Sequence, residues 1–68
     1  MIEDVGTALR AAREAAGLSL AQMARLTRYG KSYLGNVETG RRRATRDVVL
    51  AYERALVVLR HDRQSSLG

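Results

Sequence analysis

The 68-residue sequence contains no cysteine and no proline. Without cysteine, neither a disulfide framework nor a thiolate metal site can form, and the composition fits a reducing compartment. No apolar run approaches the ~20 residues that a membrane-spanning helix needs. Glu3 and Asp4 stand where a secretion signal would carry basic residues. We therefore expect a cytoplasmic protein without a membrane partner.

Residues that could carry catalysis or bind a metal are also scarce. The single histidine, His61, lies near the end of the chain among charged residues and has no second ligand close to it. We interpret it as a solvated side chain at a helix end. The serines have no partner base in the sequence, and no glycine-rich phosphate loop follows a strand. The sequence predicts no enzyme, no metal or cofactor, and no small-molecule ligand.

Positive charge is concentrated in the middle third of the chain. Residues 19–46 carry seven cations and one acid, which accounts for more than the net charge of +5, because residues 1–18 carry −1 and residues 47–68 carry zero. Clustered positive charge is typical of a surface that faces a polyanion. The run Arg41-Arg42-Arg43 alone fits a solvated basic loop equally well.

The first half of the chain has the periodicity of two amphipathic helices. The first helix is expected to end at Gly17, since glycine adopts the left-handed backbone of a C-terminal cap without cost. Ser19 precedes Gln22 by three positions, which is a capping-box pattern and places a second helix over residues 20–27. The apolar stripe predicted for the first helix is Ile2, Val5, Leu9, Ala12 and Ala16.

Two further helices are expected in the second half. The third should cover residues 31–39 and end at Gly40, and Thr45 is a plausible N-cap for the fourth. The stripe of the fourth helix is Val48, Val49, Tyr52, Ala55, Leu56 and Leu59. We predict an all-α, compact four- to five-helix bundle over residues 1–62, followed by a flexible C-terminal tail over residues 63–68.

The second and third helices are predicted to cross closely at a large angle. Ala24 is small where the third helix must pass, and the expected inward positions are Met23, Thr27, Tyr29, Leu34 and Val37. The outward face of the third helix is then Lys31, Ser32, Tyr33, Gly35 and Asn36. Lysine and asparagine suit the guanine and adenine edges of the major groove. Gly35 would remove bulk where a backbone approaches DNA.

Residues 5–56 resemble the Cro- and phage-repressor-like helix-turn-helix family, often called the XRE type. The matching stretches are Leu9-Arg10 with Arg13, Gly17-Leu18-Ser19, Met23-Ala24, and Val37-Glu38-Thr39-Gly40-Arg41-Arg42. The last stretch is similar to the motif that ends the family's recognition helix. The resemblance implies a lambda-repressor-like helix-turn-helix fold with the third helix as the recognition helix.

The resemblance also implies roles for individual residues. Bases would be contacted by Lys31, Ser32 and Asn36. Phosphates would be contacted by Tyr33, Arg41, Arg42 and Arg43. The family pairs an arginine of the first helix with the glutamate that ends the third, here Arg13 and Glu38. The alternative is that these two are unrelated surface charges.

The sequence departs from the family at four points. Arg28 occupies a turn position where glycine is usual, and a left-handed backbone there would cost roughly 1 kcal/mol. Gly30 replaces a capping serine or threonine, and Leu20 replaces a glutamine that often contacts phosphate. There is also no clear fifth helix, the element that many relatives use to dimerise.

Three apolar residues of the fourth helix lie outside its predicted core stripe: Leu50, Val57 and Val58. Such a patch indicates a partner surface, here a second copy of the chain, unless the chain end folds back over it. We expect a sequence-specific transcriptional regulator, a repressor that binds an inverted-repeat site in double-stranded DNA as a homodimer. The alternatives are a protein-interaction module that recruits its partner through the fourth helix, and a DNA-binding part of a larger regulator.

Overall fold

The computed structural model describes the backbone of residues 4–67 and the side chains of residues 4–60. This part of the chain folds into four helices and contains no strand. The helices are α1 (Val5–Ala15), α2 (Leu20–Thr27), α3 (Lys31–Glu38) and α4 (Arg46–Leu67). The all-α prediction is confirmed. No helix in residues 4–67 is long and apolar enough to cross a membrane.

The predicted helix starts are found in the structure. The Ser19 hydroxyl accepts from the backbone N–H of Gln22 (3.1 Å), and the Gln22 side chain accepts from that of Ser19 (2.8 Å), which completes the capping box of α2. The Thr45 hydroxyl accepts from the backbone N–H of Val48 in α4 (3.3 Å). Helix α3 begins after Gly30 without a side-chain cap, as the missing hydroxyl predicts.

Left-handed backbone ends the first two helices. Gly17, with φ of +76°, follows α1, as its sequence position predicts. Arg28 caps α2 with φ of +67°, and its N–H donates to the carbonyl of Ala24 (2.8 Å). The strain expected at this arginine is therefore present. Arg28, Tyr29 and Gly30 form the short turn between α2 and α3.

Helices α1 and α2 each pack against both α3 and α4. The core combines residues from all four helices: Leu9, Met23, Leu34, Val37, Val48, Tyr52 and Ala55. Because α3 is held by α1 and α2, one side of it is left without a protein neighbour. This arrangement positions the candidate site.

The buried face of α1 differs from the prediction. Its buried residues are Gly6, Leu9 and Arg13, whereas Val5 and Ala12 are exposed. A Cβ atom at Gly6 would overlap the backbone carbonyl oxygen of Val37, so α1 crosses the end of α3 at a distance only glycine permits. The inward face is therefore set by this close crossing and by Arg13, so the predicted apolar stripe is confirmed at Leu9 and wrong at Val5 and Ala12. Ile2, the first residue of that stripe, lies outside the described residues.

Helix α4 continues through Leu67. The division into a domain over residues 1–62 and a flexible tail over residues 63–68 stays a prediction. The side chain of His61 lies outside the described residues.

Candidate nucleic-acid interface

Helix α3 has two sharply different sides. Leu34, Val37 and Glu38 are buried, whereas Lys31 and Ser32 are exposed and Asn36 is half-buried. Within residues 4–60, the side chains of Lys31, Ser32 and Asn36 form no hydrogen bond with the rest of the protein. The predicted base-contacting residues are thus all on α3, accessible at least in part, and not used in holding the fold.

Gly35 does not lie on the outward face as expected. A Cβ atom there would lie 3.4 Å from Cδ2 of Leu20, so this position faces the start of α2. Leu20 is half-buried and packs against the core, because its side chain is apolar where the resembling family has a glutamine. Gly35 therefore packs beside Leu20, and the expectation that it makes room where a backbone approaches DNA stays a prediction.

The exposed charge contributed by residues 19–46 is entirely positive. All seven cations of residues 19–46 are exposed, namely Arg25, Arg28, Lys31, Arg41, Arg42, Arg43 and Arg46. In the described side chains, salt bridges involve only Arg10 and Arg13 among the basic residues, so none of the seven is paired. Nor do these side chains include a group of three acidic or histidine residues that could hold a metal ion. These exposed cations, free of salt bridges within the described side chains, form a surface that can attract an anion.

Backbone hydrogen bonds fix the arginine run relative to α3. Gly40 has φ of +86° and donates its N–H to the carbonyl of Val37 (3.2 Å). The backbone N–H groups of Arg41 and Arg42 both donate to the carbonyl of Asn36, at 2.8 and 3.0 Å. This Schellman-type cap turns the chain back along the helix end, so the arginines lie beside α3.

Aromatic contacts bring the turn before α3 and the loop after it together. The rings of Tyr29 and Tyr33 are stacked, with centroids 5.4 Å apart and planes inclined by 24°. The guanidinium carbon of Arg42 lies 5.6 Å from the centroid of the Tyr33 ring. Sequence reasoning assigned Tyr33 and Arg42 to phosphates separately and did not foresee their contact with each other or with Tyr29.

The charged pair that the resemblance implies lies in contact between α1 and α3. Arg13 donates from Nε to Oε2 of Glu38 (2.8 Å) and from Nη2 to Oε1 (2.9 Å). Its Nη1 donates to the carbonyl of Leu18 (2.8 Å). The hydroxyl of Tyr52 in α4 donates to Oε2 of Glu38 (2.6 Å), a bond the sequence did not reveal. The only acid of the basic third is thereby buried and satisfied.

The surroundings of this cluster shift the pKa values of its members. Burial by itself would raise the pKa of the Glu38 carboxyl, but hydrogen bonds from Arg13 and Tyr52 together outweigh it and hold that pKa below its usual value. The hydrogen bond to Glu38 raises the pKa of Arg13. Burial, followed by the bond to Glu38, raises the pKa of Tyr52. The cluster therefore holds an ionised carboxylate, a guanidinium cation and a neutral phenol near neutral pH.

An apolar surface lies on the side of α4 that no described helix covers. Leu50, Val57 and Val58 are 40%, 63% and 54% exposed, and together with Glu53 and Arg54 they line one shallow groove. We call these five residues the α4 surface. The three residues predicted to form a dimer interface thus lie side by side.

Comparison with known proteins agrees with this architecture. A family model described as a helix-turn-helix domain matches residues 4–65. Searches of curated proteins and of solved structures gave no match. The match spans all of α1 to α3 and nearly all of α4, including the three-residue turn that joins α2 to α3. The chain therefore belongs to the helix-turn-helix domain family.

Proposed function

We propose that this chain is a sequence-specific DNA-binding transcriptional regulator that inserts α3 into the major groove. Helix-turn-helix domains are typical of DNA-binding proteins, and their second helix enters the groove. The observation that carries the proposal is the charge of residues 19–46: its seven cations are exposed and form no salt bridge among the described side chains, while the one acid of this stretch, Glu38, is buried. A surface of this kind suits the phosphates of a duplex.

The geometry supports two groups of contacts within this surface, one to bases and one to phosphates. Lys31, Ser32 and Asn36 contact base edges, where lysine and asparagine distinguish guanine and adenine. Tyr33, Arg41, Arg42 and Arg43 contact phosphates and set the orientation of the domain. The resemblance to Cro and phage repressors favours a cytoplasmic repressor of this type.

The proposed regulator is a homodimer on an inverted-repeat operator. We assign a second copy of the chain to the α4 surface, because an inverted-repeat site has two half-sites and a dimer must present two recognition helices about 34 Å apart, one turn of DNA. The backbone of α4 runs on as helix to Leu67, which argues against the described chain end folding back over that surface.

The exposed groove of the α4 surface also favours a second candidate function. A helix-turn-helix module that recruits another protein would use this groove and would have little need for the unpaired cations around α3. Such an adaptor should bind duplex DNA weakly and without sequence preference. The charge distribution favours the regulator over the adaptor.

The test is selection of bound sites from random duplex DNA, followed by binding isotherms on the selected site and on scrambled DNA at two salt concentrations. A regulator should enrich a defined site. Its affinity should also fall steeply with salt, since each neutralised phosphate makes the negative slope of log K against log salt steeper by about 0.9. Enrichment of no sequence, with weak binding to random duplex DNA, would instead support the adaptor.

A further inference from the structure

The contacts of Tyr29, Tyr33 and Arg42 join the two chain segments that flank α3. Tyr29 lies in the turn before the helix, Tyr33 in its first half, and Arg42 in the loop after it. We propose that Tyr29 is a positioning residue: through Tyr33, it holds the guanidinium of Arg42 ready to bind a DNA phosphate. The inference rests on the proposed function and adds a residue outside the predicted site.

A ring holds an arginine in a different way from a carboxylate. The guanidinium of Arg13 donates from all three of its nitrogens to protein oxygens, so its charge is committed to the fold. The Arg42 side chain forms no hydrogen bond or salt bridge among the described residues. Its guanidinium instead makes a cation–π contact with the Tyr33 ring. A cation–π contact leaves the charge and the N–H donors available to a phosphate. Arg42 is therefore oriented without being neutralised.

Both ends of the stack are fixed to the frame of the domain. Tyr29 is half-buried against the core, and its backbone N–H donates to the Thr27 hydroxyl (3.4 Å). The backbone of Arg42 is bonded to the carbonyl of Asn36 at the end of α3 (3.0 Å). Because Tyr29 stacks on Tyr33, it limits the rotamers open to that ring and thus the place where Arg42 can rest.

The stack can be tested by NMR without DNA. Protons of the Arg42 side chain that lie over the Tyr33 ring should be shifted upfield by its ring current in the wild type. The shift should be retained in Tyr33→Phe, lost in Tyr33→Leu and reduced in Tyr29→Leu. Arg42 shifts that are unchanged in both leucine variants would overturn the stack as the determinant of the Arg42 position.

The functional consequence is tested by a double-mutant cycle on DNA. Losing the positioning should weaken binding by about two- to fivefold, the factor that a cation–π contact of 0.5–1 kcal/mol corresponds to. We expect Tyr29→Leu to lower the affinity for the selected and scrambled duplexes by the same factor. Tyr29→Phe should retain wild-type affinity because it keeps the ring. In an Arg42→Ala background, Tyr29→Leu should cause no further loss.

The outcomes separate this inference from the function on which it rests. An undiminished effect of Tyr29→Leu in the Arg42→Ala background, or no effect of Tyr29→Leu in the wild type, would overturn the positioning role alone. A wild type that does not bind duplex DNA would overturn the proposed function, and with it the phosphate as the ligand of Arg42. The NMR shifts would then still report whether the stack forms.

Discussion

At the scale of single residues, two glycines in helices have opposite surroundings. Gly6 of α1 lies against the backbone of Val37, where no Cβ atom fits, whereas a Cβ atom at Gly35 of α3 meets only Cδ2 of Leu20, at 3.4 Å. The first glycine is required by the crossing of α1 and α3. The second is not required by packing, so a residue with higher helix propensity could replace it.

We expect Gly6→Ala and Gly35→Ala to shift stability in opposite directions. Overpacking against a backbone atom should cost Gly6→Ala roughly 1–3 kcal/mol or more. Gly35→Ala should gain up to about 1 kcal/mol, because alanine is the better helix former. Thermal melts followed by circular dichroism should separate the two variants clearly, since 1 kcal/mol corresponds to about 4–8 °C in a domain of this size. A wild-type melting temperature for Gly6→Ala would contradict the close crossing.

The carboxylate of Glu38 makes stability depend on acidity. Since the pKa of Glu38 is lower in the folded state than in the unfolded chain, its contribution is complete above the unfolded value of about 4.3 and is lost as pH falls through the folded value. The free energy of unfolding of wild type should exceed that of Glu38→Gln most near neutral pH. The difference should shrink in acid, as the carboxyl becomes neutral like the amide.

The measurement is chemical denaturation of both proteins over a pH series from neutral to strongly acidic. Glu53→Gln is a suitable control, because Glu53 is exposed on α4 and forms no salt bridge among the described side chains, whereas Glu14 also lies 4.0 Å from Arg13. A gap between wild type and Glu38→Gln that stays constant down to the acid limit would show that the charge of Glu38 contributes nothing.

At the scale of the element, α3 should separate base reading from phosphate binding. Lys31→Ala and Asn36→Ala are expected to lower affinity for the selected site, each by about 1–3 kcal/mol of discrimination, and to leave scrambled DNA almost unaffected. Ser32→Ala should act likewise but more weakly. Arg41→Ala or Arg43→Ala should weaken all duplexes alike and reduce the salt dependence by about one unit.

These variants are compared by binding isotherms on both duplexes at two salt concentrations. Circular dichroism should show native helix content throughout, because none of the exchanged side chains takes part in a hydrogen bond within the described structure. Equal losses on selected and scrambled DNA for Lys31→Ala and Asn36→Ala, which is the pattern expected of the arginine variants, would mean that α3 is not the reading helix.

The helices themselves could be predicted well because their signals are local. Ser19 and Gln22 form the capping box, Gly17 and Gly40 follow helix ends, and periodicity placed Leu34 in the core. Contacts between distant segments could not be predicted in the same way. Glycine has no side chain that would indicate what packs against it. Neither the crossing at Gly6 nor the direction of Gly35 could therefore be predicted from the sequence.

The candidate site was predictable only as a set of residue types. Charge and resemblance selected Arg42 and Tyr33, but their mutual contact depends on how the loop turns back at the end of α3. The bond from Tyr52 to Glu38 was likewise hidden, because periodicity marks a buried tyrosine without indicating where its hydroxyl points. Polar partners across helices require three-dimensional positions.

At the scale of the whole molecule, the proposed homodimer would form through the α4 surface. Burial against a second copy would contribute roughly 1.5–3 kcal/mol for each fully covered side chain before ordering costs. We expect sedimentation equilibrium to show monomer–dimer exchange that Val57→Glu shifts to the monomer. The control Leu26→Glu changes a residue of similar exposure (45%) on α2, outside the α4 surface, and should leave the exchange unchanged. A wild type that is strictly monomeric at high micromolar concentration would restrict pairing to the DNA-bound state.

The two sides of α3 have a consequence for how such a domain can change its target. The fold is secured through Leu34, Val37 and Glu38, while Lys31 and Ser32 are exposed and take no part in that framework. Substitutions among the outward residues should therefore cost little stability, so in the proposed regulator the preferred operator could be changed while the scaffold stays intact. The buried acid at the end of the helix makes this freedom possible, because it anchors α3 from the side opposite its exposed residues.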